Sequence, residues 1–252
     1  MRWSSRNLLL ALSLLAGLCR AEAQTSIAAH TARSSAMGGC FLPCTEGDYI
    51  SIAYGHAYLL AGMADKSVAA SHSTGGHGRL GLGYTHHGNS DYHRQLAAFA
   101  YTLDAGRRVK VGAELHYCHL GTSDPMYTAR QRVGGAATAV IAVGRRTGIM
   151  LLGGTQPQSE DMRPWLLAQV THRPNALWLT VVEAEYTGRF AVHLGMEYLF
   201  CNILYLRAGI GSNPMTASFG AGAAAGRYRV DIGASVHSVL GVSPSLSISF
   251  MP

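Results

Sequence analysis

Acidic side chains are scarce in this chain: 14 Asp and Glu stand against 20 Lys and Arg in 252 residues, and charged residues make up only 13% of the total. The resulting formal charge is +6, but the basic residues stand singly or in pairs. No basic run resembles a nucleic-acid patch, so nucleic acid is not an expected partner. A solvated interior or a contact with acidic lipopolysaccharide and outer-membrane lipid explains the surplus positive charge as well as anything, and the charge itself identifies no partner. Long apolar runs are missing as well. Beyond the N-terminal leader no segment approaches the roughly 20 apolar residues of a spanning helix, so a membrane form of this chain crosses with strands closed into a barrel. Catalytic signatures are also absent. There is no Gly-x-Ser-x-Gly elbow, no His-Glu-x-x-His and no phosphate-binding glycine loop, and the expectation is a non-enzymatic protein without a cofactor.

The N-terminus is a targeting segment. Arg2 and Arg6 precede an apolar run from Leu8 to Leu18, and Ala21-Glu22-Ala23 is a small-x-small cleavage site. Residues 1–23 read as a secretory signal peptide, with the mature chain expected to begin at Gln24. Cys19 follows Leu18, where a lipoprotein site requires a small residue, which argues against lipidation.

What the chain does have is alternation. Hydrophobic residues are 48% of the sequence and glycines number 30, without any continuous apolar segment past the leader. From Arg189 to Tyr198, Phe190, Val192, Leu194, Met196 and Tyr198 alternate with Ala191, His193, Gly195 and Glu197. From Arg227 to Val236, Tyr228, Val230, Ile232, Ala234 and Val236 alternate with Arg229, Asp231, Gly233 and Ser235. One greasy and one wet face is the pattern of a strand between lipid and lumen.

Extending the same reading predicts an all-β fold, a transmembrane antiparallel β-barrel of about 14 strands, over residues 48–252. The segments are 49–58, 63–71, 78–86, 92–103, 107–117, 131–144, 148–155, 163–172, 177–186, 189–199, 203–211, 218–225, 228–236 and 245–250. Tight turns are expected at 104–107, 145–147, 173–175, 200–202 and 225–227, alternating with longer connections at 118–130, 156–162, 212–217 and 237–244; Thr187-Gly188 breaks that rule. A soluble secreted β-sandwich also alternates, but about 200 residues without a second domain is long for one. Residues 24–47 do not read as strand and are expected either to fold into the lumen as a plug or to form a flexible N-terminus.

The alternation assigns Arg108, Lys110, Glu114, Glu183, Glu185, His193, Glu197, Arg207, Arg229 and Asp231 to the lumen. Away from bulk water these pair with one another or with the plug, giving a salt-bridged interior; the functional alternative is a polar conduit. Seven of the 12 histidines map to one rim: His56, His86, His87, His93, His116, His119 and His237. Five of them, His86, His87, His93, His116 and His119, come from neighbouring strands and are candidate ligands for a transition metal or haem iron. The plain alternative is that His serves as an amphipathic rim residue. Cys40 and Cys44 are close enough in sequence for a small disulfide in an oxidising compartment, whereas Cys118 and Cys201 fall at opposite ends of a barrel about 25 Å tall and are not expected to pair.

Ser34-Ser-Ala-Met-Gly-Gly39, together with the stretch Gly195 to Gly209, Ser218-Phe-Gly-Ala-Gly222, Tyr228-Arg-Val-Asp-Ile232 and Leu240-Gly-x-Ser243, resembles the PorV/PorQ family, whose barrels resemble the FadL channels. The resemblance implies a fourteen-stranded outer-membrane barrel of bacteria with an N-terminal plug, an accessory of type IX protein secretion that contacts secretion-system subunits or secreted cargo. Two features depart from the family: the Asn-Pro-Ala that usually follows the glycine motif is absent, and the chain is shorter than typical members. A FadL-like channel for hydrophobic or small solutes, or a His-rich rim that binds metal or haem, are the alternative functions.

Overall fold

Two-residue alternation becomes, in the computed structural model, a closed ring of antiparallel strands. Residues 31–42, 47–60, 62–75, 78–124, 126, 128–155 and 163–252 are described. The strands are β1 (Tyr49–His56), β2 (Ala64–Ser73), β3 (Gly78–Gly88), β4 (Tyr92–Asp104), β5 (Val109–Thr122), β6 (Arg130–Ala142), β7 (Thr147–Thr155), β8 (Pro164–His172), β9 (Trp178–Tyr186), β10 (Phe190–Phe200), β11 (Leu204–Gly211), β12 (Thr216–Ala225), β13 (Tyr228–His237) and β14 (Gly241–Phe250). Each pairs with its sequence neighbours, and β14 returns to pair with β1, which closes the barrel. Closure leaves no sheet edge to be satisfied by water. At the seam Ile52 lies opposite Ile248 on the outside, while the Ser249 hydroxyl donates to Ser51 at 3.0 Å on the inside.

The two faces are reversed relative to a water-soluble protein. Leu115 is 60% exposed and its neighbour Glu114 5%; Ile52 is 54% exposed and its neighbour Ser51 2%. The same inversion runs through Leu82, Phe99, Leu166, Phe219 and Ile232, all exposed, against Thr102, Gln169, Glu183, Asp231 and Ser247, all buried. An apolar exterior that runs round a whole closed sheet needs lipid to cover it. This excludes the β-sandwich alternative, whose apolar faces would meet each other.

Both ends of the barrel chain, Tyr49 and Phe250, lie at one rim, the near rim, and the connections alternate between it and the far rim. Near-rim turns are tight: Ala225 lies opposite Tyr228 across two residues, and Cys201 and Asn202 both take positive φ between Phe200 and Leu204. The far-rim connections after β5, β11 and β13 are shorter than the sequence suggests. β14 reaches back to Gly241 through Pro244, because the β1 ladder stops at Gly55 opposite Ser245 and a missing N–H one residue further on costs that ladder nothing.

Inside the barrel lies residues 31–42, the inner segment. Thr31 caps a short helix, α1 (Ala32–Ala36), by accepting from the Ser34 N–H at 3.1 Å. Gly38 and Gly39 follow with φ of 76° and 81°, a left-handed pair that ends the helix and turns the chain towards β9. Ala32, Ala36, Met37 and Cys40 are fully buried. The remainder of the expected plug, residues 24–30 and 43–46, lies outside the described residues, as does the signal peptide.

Because Leu115 sits at mid-height on the lipid face, Leu115→Arg is expected to destabilise the barrel by about 2–4 kcal/mol. Reversible urea unfolding in lipid vesicles measures this.

Candidate functional site

The interior is organised in three layers, counted from the near rim. The lowest is ionic. Arg33 of α1 reaches Glu197 on β10 with two bonds, Nε to Oε2 at 2.9 Å and Nη2 to Oε1 at 2.8 Å. Strand register supplies the rest. Glu197 is directly opposite Arg207 on β11, which donates to Glu197 at 2.7 Å and to Asp231 on β13 at 2.8 Å. Arg229, two residues from Asp231 on the same face, donates to it at 3.1 Å and to Glu197 at 3.2 Å. Gly222 makes this possible, since a Cβ there would collide with the Asp231 carboxylate and the Arg207 guanidinium. Three guanidiniums meet two carboxylates, and the surplus positive charge lies over the Tyr205 ring, with the Arg229 guanidinium 4.2 Å from its centroid.

On β10–β13 the middle layer has no side chains. Gly195 pairs with Gly209 and Gly220 with Gly233, which forms a smooth groove across β10–β13 into which the inner segment fits. A Cβ on Gly220 would lie 2.5 Å from the Ala36 Cβ, and on Gly233 2.6 Å from the Ala32 carbonyl; on Gly195 it would lie 2.7 Å from the Met37 carbonyl. Any larger residue there forces the segment out of the wall.

The upper layer mixes polar anchors with an apolar wall. Glu183 on β9 and Gln169 on β8 are direct cross-strand partners. Glu183 accepts from the Phe41 N–H at 2.8 Å and from Gln169 Nε2 at 2.6 Å, and Gln169 also donates to the Phe41 carbonyl at 2.8 Å. The Phe41 ring meets Trp165 edge-on at 5.7 Å in a cluster with Val140, Met150, Leu152 and Leu167. Ser218 accepts from the Gly38 N–H at 2.7 Å, and His193 Nδ1 donates to the Gly38 carbonyl at 2.7 Å. Above the segment, towards the far rim, lies a cavity of about 520 Å³ lined by Phe41, Leu42, Tyr58, Trp165, Glu185 and His193 among others. Tyr58 is held over it by a bond from its N–H to Ser243 at 2.9 Å and by edge contact with His237.

Of the expected lumen residues, Glu114, Glu183, Glu185, His193, Glu197, Arg207, Arg229 and Asp231 all face inward. Lys110 does too, pairing with Asp104 at 3.0 Å near the near rim. Arg108 does not: β5 begins at Val109, so Arg108 lies in the preceding turn, exposed, where alternation no longer governs direction. The residue that sequence reading missed is Arg33, the partner that links α1 to the wall. Its signal was a lone guanidinium within a run of small residues, which calls for a buried carboxylate.

The five candidate histidines separate into three environments. His87 turns inward to Asp65 at 2.7 Å. His116 is buried beside Glu114 and Thr155. His86, His93 and His119 form a ladder on the lipid face, with ring centroids 5.8 and 6.0 Å apart, in a row where Lys66, His86, Gln95 and His119 pair strand to strand. The ligand atoms that the described residues do gather belong elsewhere, to Glu183, Glu185 and His193. Cys40 is a free thiol, and burial, reinforced by the Glu183 charge, pushes its pKa well up. Its expected partner Cys44 lies outside the described residues. Cys118 is near the far rim and Cys201 in a near-rim turn, at opposite ends of the barrel.

A Pseudomonas aeruginosa FadL homologue superposes with a TM-score of 0.64 at 11% identity, covering 91% of this chain and 99% of the other. The Pseudomonas putida toluene transporter TodX gives 0.62 at 13% identity over 89% and 99%. The monoaromatic hydrocarbon channel CymD gives 0.60 at 12% over 82% and 89%. The fold is a FadL-like barrel. No family model matches the sequence, and no curated protein does.

Glu197→Gln leaves three buried guanidiniums against one carboxylate and is expected to destabilise by about 3–5 kcal/mol, measured by urea unfolding in lipid. Gly209→Leu pushes Met37 and Gly38 of the inner segment off the wall while leaving the wall's own ion pairs among Glu197, Arg207, Arg229 and Asp231 in place. Maleimide labelling with peptide mapping should then show Cys40 reacting quickly, whereas in the unaltered protein Cys201 reacts and Cys40 stays protected.

Proposed function

We propose that this protein is a bacterial outer-membrane channel for small apolar solutes of aromatic size, closed at rest by its inner segment acting as a plug. The observation that carries the reading is the cavity above the plug, open towards the far rim. Its volume falls within the range of small-molecule sites, its wall presents Phe41, Trp165, Leu167 and Tyr58, and its floor is the plug itself. A solute entering from the cell exterior loses water against aromatic rings and stops at residues 38–42. Passage then requires the plug to leave the glycine groove. The FadL-like fold supports this reading, as do the neighbours of that fold described as hydrocarbon channels and transporters.

The type IX accessory role rests on the Met-Gly-Gly resemblance, and that motif has a purely structural account here. A Cβ on Gly38 would lie 2.6 Å from the Ile210 carbonyl and 2.9 Å from that of Leu194, so the glycines are what allow the segment to lie against β10 and β11. No secretion partner is needed to explain them. The lipid-face row of Lys66, His86, Gln95 and His119 lies one step beyond the exposed Val68, Tyr84 and Tyr117, at the height where anionic lipopolysaccharide head groups meet the barrel.

Binding is tested in the Trp178→Phe variant, which leaves Trp165 as the reporter in the mature chain. A small aromatic hydrocarbon is expected to change Trp165 emission saturably and to enter proteoliposomes faster than through protein-free vesicles. An unchanged emission together with co-purification of secretion-system subunits from solubilised membranes would return the reading to a type IX accessory.

A further inference from the structure

Glu183 and Glu185 on β9 and His193 on β10 present donor atoms that all lie within 4.8 Å of one another, and all three line the cavity. Register produces the group, because Glu183 is directly opposite His193 and Glu185 follows two residues along the same face. The bonds from Phe41 and Gln169 hold one oxygen of Glu183 and so orient its carboxylate before any ligand arrives.

The tautomer of His193 is decided by its partner. Nδ1 lies 2.7 Å from the Gly38 carbonyl, and a carbonyl only accepts, so Nδ1 carries a proton. In the neutral ring Nε2 is then a lone pair, and it faces Glu185 Oε2 at 3.7 Å. Lone pair against carboxylate is repulsive unless something positive lies between them. The separation is longer than an N–H···O bond of about 2.7–3.2 Å. It is close to the spacing of two ligands on one ion whose metal–ligand distances are about 2.0–2.2 Å. A ring nitrogen donating to a backbone carbonyl while the other faces carboxylates is also the outer-shell arrangement of ligating histidines.

We infer that Glu183, Glu185 and His193 form a divalent transition-metal site at the floor of the cavity, with the remaining coordination positions open to water from the far rim. One imidazole and two carboxylates suit Zn²⁺ or a neighbouring first-row ion. Its physical consequence follows from the second contacts of the ligands. Glu183 holds Phe41 and His193 holds Gly38, so an ion shared between them fastens the inner segment to β9 and β10. The inference does not depend on what the barrel transports.

Isothermal titration of the detergent-solubilised mature barrel with Zn²⁺ is expected to show one equivalent bound, abolished by Glu185→Gln and by His193→Asn. A variant carrying His86→Asn, His93→Asn and His119→Asn should still bind that equivalent, which separates this site from the lipid-face ladder. Heat-modifiable gel mobility checks that each variant keeps a folded barrel. The visible spectrum of Co²⁺ bound to the unaltered protein supplies a readout independent of any variant, with nitrogen and oxygen ligation and no thiolate band expected. Absence of stoichiometric Zn²⁺ uptake, or unchanged uptake by Glu185→Gln, would overturn the site and leave His193 as an imidazolium paired with Glu185.

Discussion

The contact on which the interior depends is the ion pair between Arg33 and Glu197. Glu197 accepts from three arginines, Arg33, Arg207 and Arg229, and without it a guanidinium from α1 and two from the wall would face one another out of reach of water. Burying such charges is costly, and only mutual pairing with good geometry offsets the cost. The cluster therefore does two things at once. It satisfies the polar faces of β10, β11 and β13, and it fixes where α1 lies along the barrel axis.

Once α1 is placed, the glycine groove determines how closely it packs. The paired glycines of β10–β13 remove the side chains from that part of the wall, and the segment's own small residues, Ala32, Ala36 and Gly38, meet them closely. Further along, Glu183, Gln169 and Ser218 take up the backbone groups of Gly38 and Phe41 that the short helix cannot satisfy internally. Among the described residues, the barrel is thus filled on its near-rim side and open on its far-rim side. That asymmetry leaves a cavity above the segment rather than a pore through it.

The lipid face follows a separate logic. Its apolar residues carry no information about the interior, and its polar row at Lys66, His86, Gln95 and His119 marks the upper boundary of the apolar belt. The histidines that looked like one cluster in the sequence divide between the lipid face and the interior because neighbours in a strand point to opposite faces. His86 and His87 are adjacent in sequence, yet one faces lipid and the other Asp65 inside the barrel.

Alternation by itself determined the strand count, the closed antiparallel order and the inward direction of Glu197, Arg207, Arg229 and Asp231, because side-chain period and barrel register are both local properties of an extended chain. It failed at Arg108, where the strand had not yet begun, and at Pro244, where the end of a ladder tolerated a residue that normally breaks one. Tertiary structure alone decided that Arg33 completes the ionic layer, that four glycines from four strands form one groove, and that Glu183, Glu185 and His193 converge beside Gly38. Each joins groups far apart in the chain. No local pattern encodes such distances, because they are set by closure of the barrel around the segment it contains.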